Sequence, residues 1–132
     1  MTHLVDSDWL IDASRGDVHS LSHIARHSAD GIAISIISFG ELYEGAANSR
    51  QRSDADSVTL IRAFLYEFAV LNLSYSIMET FAHLRAGLRR QGRLIPDLDL
   101  LIAATALDHN LILMTRNVRH FERIPGLVLY QE

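Results

Sequence analysis

The sequence specifies an α/β domain in which a short parallel sheet is flanked by helices. Short apolar runs alternate along the chain with longer segments of helical period. Those runs are apolar at successive positions, as strands covered on both faces require. One helix, opening after Pro96, is apolar nearly all round and must be buried between other elements. Strand and helix in alternation predict parallel crossovers.

His3, Leu4 and Val5 form the first short strand, ending at Asp6, and Trp9, Leu10 and Ala13 then keep helical spacing. Residues 18–28 are expected to form a second short helix. Gly31 punctuates the chain, and residues 32–37, β-branched and apolar, are expected to form a buried strand. Residues 38–47 place Phe39, Leu42 and Ala46 on one helical face. Ile61, Phe64, Leu65 and Phe68 keep the same period, as do Ile77, Phe81, Leu84 and Leu88, with a strand at 70–73 between them. In the helix after Pro96, Leu98, Leu101, Ile102 and Thr105 share a face, while Leu100, Ala103, Ala104 and Leu107 lie on the others. Residues 111–114 and 127–129 complete the expected strands.

A chain of 132 residues suits one core and one domain. Without cysteine it forms no disulfide and offers no thiolate ligand, which excludes zinc-finger and thiol chemistry. All twelve basic residues are arginine. The missing lysine excludes Schiff-base chemistry, a phosphate-loop lysine and the lysine of phospho-receiver domains. The net charge of -4 argues against non-specific nucleic-acid binding, though an acidic cleft filled by a cation and flanked by arginines is compatible with it. There is no basic start followed by a long apolar stretch and no run near the roughly 20 residues of a membrane span, so a cytoplasmic protein without membrane contact is expected.

Ligands of open parallel sheets bind at the carboxyl ends of the strands. There the sequence places Asp6, with Ser7 and Asp8 next; Glu41, about one turn into its helix; Thr115 and Asn117, after the 111–114 strand; and Asp97 and Asp99, in the first turn after Pro96. Singly, Asp6 suits a cap, and Asp97 and Asp99 suit a helix dipole. Glu41 is the least ordinary, an acid in the mostly apolar stretch 36–43. Brought together, two carboxylates about 4 Å apart repel by on the order of 4 kcal/mol. A fold stable by about 5–15 kcal/mol does not sustain several such contacts without a counter-charge. The sequence supplies no lysine and no adjacent arginine, so Mg²⁺ or Mn²⁺ is the natural candidate, an ion suited to phosphodiester hydrolysis.

The run Ile95-Pro96-Asp97-Leu98-Asp99-Leu100-Leu101-Ile102-Ala103-Ala104-Thr105-Ala106-Leu107 closely resembles the third motif of bacterial PIN-domain proteins of the VapC toxin type. Met114-Thr115-Arg116-Asn117-Val118-Arg119-His120-Phe121, followed by Ile124-Pro125-Gly126-Leu127, is similar to the segment that follows it. Leu4-Val5-Asp6-Ser7-Asp8 resembles the opening signature and Ile34-Ser35-Ile36-Ile37-Ser38-Phe39-Gly40-Glu41-Leu42 the second motif. The four occur in the family's order across essentially the whole chain.

The resemblance implies a three-layer PIN-like domain and a metal-dependent endoribonuclease, the toxin of a type II toxin–antitoxin pair. It implies RNA as substrate, a homodimer, and a small antitoxin whose C-terminal arm enters the site. By position, Asp6, Glu41 and Asp99 would be catalytic and would hold Mg²⁺ or Mn²⁺, with Asp97, Asp8, Thr115 and Asn117 as auxiliaries. Asn117 or Thr115 would hydrogen-bond an ordered water. Position 8 is Asp where Asn is frequent, and position 117 is Asn where many relatives carry a fourth acid, so one tightly held ion is expected. A catalytically silent PIN scaffold that binds RNA or a protein is the alternative.

His19, His23 and His27 recur at four-residue spacing, the pattern of a metal face, but are expected to lie on a plain solvated face, opposite an apolar side of Leu21, Ile24 and Ala25. Arg116 and Arg119 fall near the proposed site and are candidate phosphate contacts. Arg85, Arg89 and Arg93 form a second, more ordinary stripe. Phe39 and Tyr43 are expected in the core.

Overall fold

The computed structural model describes residues 1–48 and 54–132. In chain order these form β1 (His3–Val5), α1 (Ser7–Ser14), α2 (Val18–His27), a 3₁₀ turn (Ser28–Asp30), β2 (Ile32–Ser35), α3 (Ile36–Ala47), α4 (Asp54–Leu65), β3 (Ala69–Leu71), α5 (Tyr75–Arg90), α6 (Asp97–Asp108), β4 (Ile112–Met114) and α7 (Val118–Phe121). All strand pairs are parallel and the sheet order is β3-β2-β1-β4. Strand order therefore reverses between β1 and β4, and a crevice opens at their carboxyl ends.

Alternation of side chains across the sheet creates the three layers. Leu4, Ala33 and Leu113 point to one face, where they pack with Leu88 of α5, Leu100, Ile102, Ala103 and Ala106 of α6, and Phe121 of α7. Val5, Ile34 and Met114 point to the other, against Trp9, Leu10, Ile24, Leu42 and Leu65. Each fully buried aliphatic side chain contributes about 1.5–3 kcal/mol relative to exposure. Gly31 ends the 3₁₀ turn at φ 93°, and a Cβ there would stand 2.8 Å from Met1 Cα, so both conformation and space require glycine.

Several boundaries differ from the sequence expectation. The second strand stops at Ser35, because its hydroxyl accepts a 3.0 Å hydrogen bond from the Ile37 amide and caps α3 two residues early. Phe68 lies beyond the end of α4. Residues 127–129 form no strand; they touch the sheet edge through a single bridge, Leu113 to Leu129. Leu98 is 49% exposed, so the buried surface of α6 begins at Leu100.

The histidine face of α2 is also corrected. His23 is buried with Ser20 and Ile24, whereas Leu21 and Ala25 are exposed. Aromatic partners explain this: the His23 ring lies 5.5 Å from that of Trp9, and its Nδ1 is 2.6 Å from the Tyr130 hydroxyl. With Nδ1 satisfied, the imidazole packs as an aromatic ring. Among the described residues, no helix is long and apolar enough to cross a membrane.

Candidate active site

Asp6 stands at the crevice. It leaves β1 with extended φ/ψ and caps α1, Oδ1 accepting from the Ser7 amide at 2.8 Å. Oδ2 accepts from the Thr115 hydroxyl at 2.7 Å, joining the ends of β1 and β4. Both residues are 6% exposed. The Asp6 carboxyl is pushed from its ordinary 3.8 up to about 7, first by burial and then by the negative charge of Asp8, with a smaller push from Asp99. The hydrogen bonds from Thr115 and Ser7 oppose the rise without cancelling it.

Glu41, in the sixth position of α3, is tied to this centre by Ser7, whose hydroxyl donates to Glu41 Oε1 at 2.7 Å. Asp99 comes from the first turn of α6. Its Oδ2 lies 2.8 Å from His120 Nδ1, and since a carboxylate only accepts, the ring proton on Nδ1 serves Asp99. The Asn117 amide nitrogen is 2.8 Å from the same ring atom, and the Asn117 main-chain amide donates to the Thr115 hydroxyl at 3.1 Å. Glu41 also lines a groove of about 590 Å³ between α1, α3 and α4, with Ile11, Leu42, Ile61 and Phe64.

The auxiliary candidates are each engaged by neighbouring groups. Asp97 pairs with Arg85 Nε at 2.9 Å and its side chain is 60% exposed; two residues along a helix is roughly 200°, so it departs from the face of Asp99. Asp8 straps the strand ends together, accepting from the Arg116 amide at 2.8 Å and from its own neighbour Trp9 at 2.7 Å. The Thr115 hydroxyl donates to Asp6, and the Asn117 side chain lies beside His120. The Arg116 guanidinium is occupied: it pairs with Asp12, donates to Ser20 Oγ at 2.8 Å and lies 4.3 Å over the Trp9 ring. Arg119 is exposed and free of ion pairs among the described residues. Phe39 and Tyr43 are only partly buried, stacked at 6.2 Å.

Sequence reasoning missed Ser7 and His120 as site residues. Ser7 was visible only as a neighbour of Asp6. His120 stands in the sequence only within the motif that follows the 111–114 strand, with no element assigned to residues 118–121, and α7 carries its ring to Asp99.

The donor set fits a hard divalent cation. Asp6, Glu41 and Asp99 offer oxygen atoms, no arginine pairs with any of them among the described residues, and Asp6 is held ionised only against burial and neighbouring charge. As a triplet, their oxygens do not all lie within 4.8 Å of one another; the described residues that meet that spacing are His19, His23 and Glu132.

The model of the family described as PIN domain matches residues 3–127. Ribonuclease VapC2 of Rickettsia felis is 36% identical over 98 residues, covering 74% of this chain and 72% of that protein. The crystal structure of VapBC2 from Rickettsia felis bound to a promoter DNA fragment superposes with a TM-score of 0.90 at 26% identity, covering 98% of both chains. A toxin–antitoxin complex from Klebsiella pneumoniae gives a TM-score of 0.75 at 29% identity, covering 99% of this chain and 100% of that one.

Proposed function

The chain belongs to the PIN-domain family, and from that premise we propose that it is an endoribonuclease of the VapC toxin type, hydrolysing RNA phosphodiester bonds with a divalent cation. One observation carries the reading: a buried carboxylate, Asp6, pushed up to about 7 by burial and by neighbouring acids, with no cationic side chain paired to it. Mg²⁺ or Mn²⁺ would be held by Asp6 and Asp99, with Glu41 as ligand or water-orienting base. When bound, such an ion polarises the phosphate and lowers the pKa of water.

The chain's own residues do the positioning. Thr115 and the Ser7 amide fix both oxygens of Asp6, Ser7 aims Glu41, and His120 fixes Asp99. Glu41, half-buried at the wall of the groove and held by Ser7, accepts a proton from the attacking water. Arg119, exposed after β4, steers the RNA phosphate.

A cognate antitoxin is the protein partner, and the acidic crevice suits a cationic group on its arm. A homodimer is the assembly. The test is to express the chain alone and map new 5′ ends in cellular RNA, beside an Asp6→Ala control. Discrete new ends and growth arrest, both lost in Asp6→Ala, support the reading. No new ends, or ends unchanged in the variant, overturn it.

A further inference from the structure

A second cluster of ligand-bearing side chains lies apart from the acid centre. His19 and His23 stand one turn apart on α2, with ring centroids 4.4 Å apart. Glu132 reaches them from the far end of the sequence, its Oε1 2.9 Å from His19 Nε2. One ligand atom from each of the three lies within 4.8 Å of the others. We propose that His19, His23 and Glu132 form a site for a transition-metal ion of the zinc class, independent of the nuclease reading.

The chemistry of the donors separates this site from the other one. Two imidazole nitrogens and a carboxylate select Zn²⁺, Co²⁺, Ni²⁺ or Cu²⁺ over Mg²⁺, which prefers oxygen alone. Ligands at about 2.0–2.2 Å from zinc stand roughly 3.3–3.5 Å apart in a tetrahedron, so a small rotation of exposed side chains closes the site. Three protein ligands leave a fourth position for water.

The surroundings hold the ligands in place. Tyr130 hydroxyl occupies His23 Nδ1 at 2.6 Å, fixing the buried ring and leaving Nε2 for a metal. The tail that carries Glu132 is anchored on the sheet, where the Tyr130 amide donates to the Leu113 carbonyl at 2.8 Å. Burial lowers the pKa of His23, with further lowering by His19 and Arg26, and the His19 contact lowers that of Glu132, so the ligating forms of these two, a neutral His23 ring and an ionised Glu132 carboxylate, are favoured. Trp9, the one tryptophan of the chain, lies 5.9 Å from His19 and 5.5 Å from His23, a reporter beside the site.

The experiment titrates Zn²⁺ by calorimetry, and Co²⁺ by Trp9 fluorescence and visible absorption, into tag-free, metal-stripped protein. Excess Mg²⁺ and an Asp6→Asn background remove the acid centre as a competitor. One equivalent of Zn²⁺ is expected, with Co²⁺ quenching Trp9 and giving the intense d–d bands of low coordination. His19→Ala and Glu132→Gln replace side chains that are more than half exposed, so both variants are expected to fold. Each is expected to weaken Zn²⁺ binding at least tenfold and to reduce the quenching in parallel. Absence of saturable Zn²⁺ binding, or binding undiminished in both variants, overturns the proposal.

Discussion

The Thr115 hydroxyl donates to Asp6 Oδ2 over 2.7 Å, across the point where the sheet order reverses. The bond stabilises the ionised form of a carboxylate that burial and Asp8 otherwise drive toward the neutral one. A hydrogen bond to a charged group contributes about 1.5–3 kcal/mol. Thr115→Val, nearly isosteric, is therefore expected to weaken Mn²⁺ binding by roughly tenfold or more near pH 7, measured by calorimetry.

Asp6 also links stability to pH. Its folded pKa, about 7, lies above the ordinary 3.8, so the folded protein holds the proton more tightly than the unfolded chain. Its contribution to stability is greatest below about pH 4, declines as pH rises through 7, and is least above that. The full rise corresponds to about 4 kcal/mol as an upper bound. Without divalent ions, Asp6→Asn is expected to be more stable than the parent at pH 8, by about 1–3 kcal/mol, and to lose that advantage by about pH 4. Urea denaturation in EDTA at both pH values measures it.

His120 acts through Asp99. His120→Ala removes the donor 2.8 Å from the carboxylate and leaves the three acids in place. Loss of such an orienting partner typically costs 10–100-fold in metal affinity or activity. A fall of that size in RNA cleavage is expected, partly offset by raised Mn²⁺ concentration.

The two arginines after β4 are expected to separate. Arg116 stacks on Trp9 and pairs with Asp12, so Arg116→Ala is expected to cost about 1–2 kcal/mol of stability and to change Trp9 fluorescence. Arg119→Ala is expected to leave stability unchanged and to weaken RNA binding, with a shallower salt dependence.

What the sequence made legible follows from local physics. Leu4 and Val5 declared a buried strand, and Asp6 after them fell where parallel sheets bind ligands. Glu41 stood out as an acid in an apolar stretch, and Pro96 marked the start of α6. Other features depend on partners far along the chain. Burial of His23 depends on Trp9 and Tyr130, and Arg116 is occupied because Asp12 and Ser20 pack beside it. His120 became a site residue only once α7 oriented it. The failure of 127–129 to form more than a bridge has the same character, since pairing depends on the edge it meets.

The decisive measurement is anomalous diffraction from crystals grown with Mn²⁺. A manganese peak is expected within about 2.0–2.3 Å of carboxylate oxygens from both Asp6 and Asp99, with Glu41 bound directly or through water. A fully occupied manganese elsewhere with that crevice empty, or a peak that touches neither Asp6 nor Asp99, would contradict it.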